Sequence, residues 1–217
     1  MIKTSASLLA SNLAQIALEI SRCKKSGVDW IHVDVMDGVF VDQITYGSPL
    51  LKCVRASTDM FLDVHLMVED PTKQIKFFAD AGADLITIHA ESFCSTGEVL
   101  QEIRNRGKKA ALAVKPQTPI ESVYPYLHLC DMVLVMTVEP GYGGQAFIPE
   151  TVEKISELRT MADHLGYKQL DIQVDGGIGE ATAAAVKKAG ANILVAGTSL
   201  FKSENMKQTC DELKKPV

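Results

Sequence analysis

The stretch Gly27-Val28-Asp29-Trp30-Ile31-His32-Val33-Asp34-Val35 decides the fold, because its outline recurs twice more along the chain. Residues 82–90 (GADLITIHA) and 190–197 (GANILVAG) also run from a glycine straight into a short, apolar, β-rich segment. Glycine at such a place ends a helix, and the segment after it is short and bounded like a strand. Each copy therefore reads as a helix C-terminus feeding a strand. Working outward, strands are expected at 4–9, 30–36, 61–67, 85–91, 109–115, 131–137, 170–176 and 192–197. Amphipathic segments such as 12–25, 71–81, 149–165 and 180–189 lie between them. Near-continuous apolar strands alternating with helices predict a parallel sheet covered by helices. Eight units favour closure into a single (β/α)8 TIM barrel, of α/β class, over an open doubly wound sheet. No GxGxxG follows the first strand, which also disfavours a dinucleotide fold. No linker or charge block interrupts residues 1–217, so one domain is expected.

Composition bounds the function. With 47% hydrophobic and 23% charged residues in 217, the chain can build a large core. A net charge of −5 supplies no basic surface for nucleic acid or anionic lipid. A phosphorylated ligand would need a local anion site. The five cysteines (Cys23, Cys53, Cys94, Cys130, Cys210) form no CxxC pair, as in a reduced compartment. No secretory signal and no run of 18 apolar residues is present, so a cytoplasmic protein without a membrane span is expected.

In a barrel of this kind the site forms at the C-terminal strand ends. Along strand 2 the period of two places His32, Asp34 and Met36 on one face and Ile31, Val33 and Val35 on the other. The β-branched set suits packing under helices, so the polar face should point inward. Strand 3 carries His65 and Met67 on one face, and strand 7 ends at Asp175. Any one of these alone reads equally well as a hydrogen-bonded core residue. Two imidazoles and two carboxylates on three strand ends are costly to bury unless a cation joins them. They make a first shell for zinc or another divalent transition ion. Met36, Met67 and Met136 close strands 2, 3 and 6 and could shield a carbanion from water.

Glycines follow strands 6, 7 and 8: Gly141-Tyr142-Gly143-Gly144, Gly176-Gly177, and Gly197 ahead of Thr198. Barrels place phosphates at these loops, where backbone N–H groups and a short helix receive the anion. No Lys or Arg occurs in the three loops.

These segments resemble the ribulose-phosphate 3-epimerase family. The matching stretches are SASLL (5–9), HVDVMDG (32–38), DVHLMV (63–68), HAE (89–91), KPQTP (115–119), VMTVEPGYGGQAF (135–147), VDGGI (174–178) and VAGTSLF (195–201). The resemblance implies a barrel of the ribulose-phosphate binding type and an isomerase that inverts C3 of a ketose phosphate. D-ribulose 5-phosphate and D-xylulose 5-phosphate would be its substrate pair. It implies one divalent metal (zinc foremost, otherwise iron, manganese or cobalt) on His32, Asp34, His65 and Asp175. Asp34 and Asp175 would be the acid and base acting through an enediolate. Ser7, His65, Met36, Met67, Met136, Gly141, Tyr142, Gly143, Gly144, Gly176, Gly177, Gly197 and Thr198 would contact the phosphorylated ketose. A homo-oligomer, dimer or hexamer, is expected.

The chain departs from the family pattern at Ala6, at Ser11-Asn12, and above all at 39–45 (VFVDQIT), a loop expected over the site. A hexulose 6-phosphate such as allulose 6-phosphate is therefore an alternative substrate. Two other classes compete. Lys115, closing strand 5, could serve a Schiff-base aldolase, and the barrel could be a sensor that binds a sugar phosphate without turnover. His89 and Glu91 read as outer support for the ligands, and Asp37 as a loop cap. Tyr142 could line the phosphate loop or cover the core, and His128 and His164 read as exposed.

Overall fold

The computed structural model describes residues 1–216. Eight parallel strands close in sequence order: β1 Lys3–Ser7, β2 Trp30–Met36, β3 Phe61–Met67, β4 Leu85–His89, β5 Lys109–Val114, β6 Met132–Met136, β7 Asp171–Asp175 and β8 Ile193–Ala196. The ring shuts where Ser5 pairs with Val195 across β1 and β8. Around it run α1 Ile16–Lys25, α2 Ser48–Ser57, α3 Gln74–Asp80, α4 Thr96–Asn105, α5 Thr151–His164, α6 Glu180–Ala189, α7 Thr198–Phe201 and α8 Met206–Lys214. The expected (β/α)8 TIM barrel is the observed one. No helix among the described residues is long and apolar enough to cross a membrane.

Local chemistry moves some boundaries. The first strand stops at Ser7 because Leu8 turns into a 3-10 segment, Leu8–Ala10, whose carbonyl takes the Ser11 N–H at 3.0 Å. The helix expected over 12–25 starts with a 3-10 turn, Leu13–Gln15, capped by Asn12 Oδ1 accepting the Ala14 N–H at 3.2 Å. The crossover from β5 to β6 is not an α-helix. It is a 3-10 run, Ile120–Leu129, containing Pro125. Proline lacks the N–H for an i−4 bond, which breaks α-helical pairing there.

Outward side chains of the strands, among them Ile31, Val33, Leu62 and Val64, merge with helix residues such as Ile20, Leu51 and Ile75 into the main core. The barrel interior is divided along its axis. Its N-terminal end is plugged by Trp30, Leu85, Ala111, Met132 and Ile193, with Phe61 packed against them. Trp30 stacks on Phe61 at 4.3 Å between centroids, and Lys3 Nζ lies 4.9 Å over the indole. The C-terminal half holds buried Ser7, His32, Asp34, His65 and His89 instead. The apolar floor stabilises the barrel, which leaves the polar mouth free for chemistry.

Replacing Trp30 with alanine removes the largest side chain of that floor. It should cost about 3–5 kcal/mol, read as a lowered denaturation midpoint with an unchanged slope.

Candidate active site at the mouth of the barrel

Pairing register brings the polar residues of separate strands together. Asp34 on β2 lies beside His65 on β3, Ser7 on β1 beside His32, and Asp175 on β7 beside Met136 on β6. Four atoms converge: His32 Nε2, His65 Nδ1, Asp34 Oδ1 and Asp175 Oδ2. Each imidazole nitrogen stands 3.1 Å from the Asp34 oxygen, and they stand 3.8 and 3.9 Å from that of Asp175. The four residues place one ligand atom each within 4.8 Å of all the others.

A cation fits this set. Ligand bonds of ~2.1 Å in tetrahedral array put neighbouring donors ~3.4 Å apart, within the observed spread. His32 Nδ1 lies 2.7 Å from Asp63 Oδ2, so its N–H donates there and the lone pair sits on Nε2. That buried Nε2 makes no hydrogen bond, although Asp34 is close to it. An unpaired lone pair aimed at two carboxylates is the donor arrangement a divalent ion needs. These residues could hold a metal ion.

Electrostatics separates the two aspartates. Burial opposes ionisation of Asp34, but the adjoining His32 and His65 outweigh it and hold the carboxyl well below the usual range. Burial and the Asp34 charge push Asp175 up to about 6. Burial would keep His32 neutral, yet Asp34 and Asp63 push its pKa well above the ordinary value. A cation binding there therefore competes with a proton. Two histidine ligand candidates are thus backed differently: His32 by Asp63, and His65 by His89, whose Nε2 lies 2.8 Å from His65 Nε2. Glu91 closes the second series, 3.0 Å from His89 Nδ1. Burial lowers the His89 pKa to about 4. Glu91, despite its own burial, is lowered to about 2 by bonds from His89 and the Lys115 backbone.

Above the cluster opens a cavity of about 390 Å³. Its wall includes Ser7, Asp34, Met36, Met67, Met136, Gly141, Tyr142, Gly143, Gly144, Asp175, Gly176, Gly177, Gly197 and Thr198. Ser7 Oγ donates to Asp34 Oδ2 at 2.6 Å, which fixes the serine at the edge of the pair. His65, expected to touch substrate, is fully buried and off the cavity wall, because β3 sets it behind Met67 and against His89. Tyr142 lines the cavity and stands 60% exposed, so it does not cover the core. His128 and His164 are exposed. Lys115 is not on the wall; its ammonium lies 3.8 Å over the Phe40 ring. No Lys or Arg is among the wall residues.

The 39–45 loop reaches from the end of β2 over the rim, with Phe40 on the His89 ring and Val41 against Gly141 of the loop after β6. None of its residues lines the cavity. Asp37 accepts the N–H groups of Val39, Phe40 and Glu69, which turns the chain back, and Val41 packs on Met36 and Met67. Thr45 then donates to the Asp34 carbonyl at 2.8 Å. The loop acts as a buttress for the methionines. Gly176 and Gly177 have a steric reason besides anion approach: both are at positive φ (119° and 64°), and a Cβ on Gly177 would lie 2.6 Å from the Phe147 nitrogen.

Sequence reading did not assign Asp63, Gln173 or Thr137. Asp63 has the same parity as His65 and pairs with His32, so its inward position was available from the strand period. Gln173 holds Asp63 from across the barrel, a contact that arises only on closure. Thr137 Oγ1 donates to the Gly176 carbonyl at 2.6 Å, which follows from the pairing of β6 with β7.

Comparison with known proteins places this geometry. The sequence model of the Ribulose-phosphate 3 epimerase family matches residues 3–201. The ribulose-phosphate 3-epimerase of Bacillus subtilis is 44% identical over 214 residues, covering 99% of both chains. The cytoplasmic isoform of that enzyme from Oryza sativa is 41% identical, over 99% of this chain and 94% of its own. Among solved structures, a 3-keto-L-gulonate-6-phosphate decarboxylase from Vibrio cholerae superposes with a TM-score of 0.74 over 99% of this chain and 96% of that one. At 15% identity it shares the fold alone. The full-length family match, carried by relatives above 40% identity and seated on a mouth of two histidines and two aspartates, shows that this chain belongs to the ribulose-phosphate 3-epimerase family, enzymes of the isomerase class.

Proposed function

We propose that the chain interconverts D-ribulose 5-phosphate and D-xylulose 5-phosphate by proton transfer between Asp34, Asp175 and C3. The observation that carries this reading is the convergence of two carboxylates of unlike proton affinity at the base of one sugar-sized cavity. Inversion beside a ketone needs one group to remove the C3 proton and another to return one from the opposite face. Asp34, held ionised, takes the proton in one direction while Asp175 donates, and the roles exchange in the other. Ser7 orients Asp34 and touches the substrate. Met36, Met67 and Met136 keep water from the planar enediolate without offering it a proton.

His32, Asp34, His65 and Asp175 would hold a divalent cation, zinc first among zinc, iron, manganese and cobalt. When bound it supplies positive charge against the negative charge that develops on the substrate oxygens. The phosphate rests on backbone N–H groups of Gly141 to Gly144, Gly176, Gly177, Gly197 and Thr198, at the start of α7. The named activity of the relatives favours a pentulose over a hexulose phosphate. The position of Lys115 off the cavity wall speaks against an aldolase.

We further take the barrel as the chain's one domain, working in the cytoplasm as a dimer or hexamer. Free thiols at all five cysteines and exposed apolar Leu13, Leu18 and Phe77 support that reading. The charge of −5 offers nucleic acid no attraction.

Purified protein assayed on ribulose 5-phosphate beside allulose 6-phosphate should turn over the pentulose preferentially; silence on both would end the catalytic reading. In heavy water the product should carry solvent deuterium at C3, and product retaining its original hydrogen would exclude the two-aspartate route. Asp34→Asn and Asp175→Asn should each lower kcat/KM by at least ~10²-fold, the scale of lost general acid–base catalysis. Dialysis against chelator should remove metal and turnover together, and adding back a single divalent ion should return both.

A further inference from the structure

The two histidines of the cluster differ in what stands behind them. His32 meets the Asp63 carboxylate directly, at 2.7 Å. His65 meets a second imidazole instead: His65 Nε2 to His89 Nε2 is 2.8 Å, and His89 Nδ1 to Glu91 Oε2 is 3.0 Å. The other oxygen of Glu91 accepts the Lys115 backbone N–H at 2.8 Å. Both imidazoles are fully buried. Phe40 packs on the His89 ring at 4.7 Å, with the Lys115 ammonium over Phe40.

His65 Nδ1 stands 3.1 Å from Asp34 Oδ1, so a carboxylate competes for a hydrogen at each end of this series. With a cation on the Nδ1 lone pair and both rings neutral, donor and acceptor rules allow one arrangement. A carboxylate only accepts, so the hydrogen of His89 is on Nδ1 and its Nε2 carries a lone pair. That lone pair must receive a hydrogen from His65 Nε2. His65 Nδ1 is then left as a bare donor facing Asp34 and Asp175. The reverse order would set a lone pair of His89 against the Glu91 carboxylate.

We propose that His89 and Glu91 are positioning residues that fix the tautomer of His65, one imidazole removed from the carboxylate that sets it, and so determine how strongly that corner of the cluster holds a cation. Neither residue lines the cavity, so neither touches substrate. The effect reaches the site only through His65. The proposal rests on the reading of His32, Asp34, His65 and Asp175 as a cation site. It goes beyond that reading in giving a function to two residues that ligate nothing.

The test uses the full chain and cobalt(II), followed by its visible absorption and by competition with a chromophoric chelator, together with nitrogen-15 correlation spectra of the histidine rings. Glu91→Gln keeps the size and one acceptor, but its amide cannot accept from both Lys115 and His89. It should weaken cobalt binding by about 10-fold, and His89→Phe by up to about 100-fold, the range seen when the outer partner of a ligand is lost. His89→Gln, which offers one acceptor and one donor, should recover affinity to within a few-fold of wild type. The melting temperature of the metal-free Glu91→Gln protein should match wild type. Unchanged cobalt affinity and absorption in both Glu91→Gln and His89→Phe would overturn the proposal, as would a His89 hydrogen found on Nε2 in the wild-type protein. Should wild type bind no cobalt, the cation-site reading falls, and the His89 tautomer in that same protein still decides the relay. If His89→Phe fails to fold, Glu91→Gln and the spectra carry the test.

Discussion

Placing charged carboxyl groups inside protein is unfavourable unless partners compensate them, and that constraint organises this barrel. Asp34 is almost fully buried and Asp63 wholly so. Asp63 is compensated by the N–H of His32, while Asp34 has the ring nitrogens of His32 and His65 against it at 3.1 Å. Ser7 adds a hydroxyl to Asp34, and Ser5 and Gln173 add donors to Asp63. Most partners come from the neighbouring strands β1, β2 and β3, and Gln173 reaches Asp63 from β7 on the far side, a contact that only the closed sheet provides. A polar network of this type rigidifies its members, because freeing any one strands a neighbour in low dielectric.

Such a network weakens the upper half of the barrel as a hydrophobic core, and the lower half offsets this. Trp30, Phe61 and their neighbours fill the N-terminal end with large apolar side chains. The outward faces of all eight strands are covered by helices. Closure thus depends on the floor and the outer layer, while the mouth keeps polar groups whose chemistry is useful. The methionines Met36, Met67 and Met136 sit at the outer rim, as the last residues of β2, β3 and β6. Val41, of the loop that departs from the family pattern, packs on Met36 and Met67 and stands against Gly141.

The same architecture in a decarboxylase of 15% identity shows that the barrel alone does not choose a reaction. The discriminating feature lies in the strand-end residues. Two imidazoles with two carboxylates of opposed proton affinity suit transfer of a proton on and off one carbon, whereas a lysine projecting into the cavity would suit a carbinolamine. Lys115 has instead been turned onto Phe40.

Much of this was determined by local sequence. Alternation of β-rich runs with amphipathic segments, punctuated by glycine at 27, 82 and 190, is sufficient for a parallel barrel, since the period of each segment depends on its own residues. Period two likewise places His32, Asp34, Met36 and His65 on inward faces, and the glycine clusters after strands 6, 7 and 8 mark an anion-sized opening. Where local chemistry competes, expectation misses by a turn, as at Leu8–Ala10, or by helix type, as at the run holding Pro125. What only the tertiary structure decided is distance and direction between strands. Strand period cannot say that His65 lies behind Met67 rather than on the cavity wall, that Asp63 reaches His32, or that Glu91 acts through His89. Those relations depend on the register between paired strands and on side-chain directions in the folded chain, which no single segment contains.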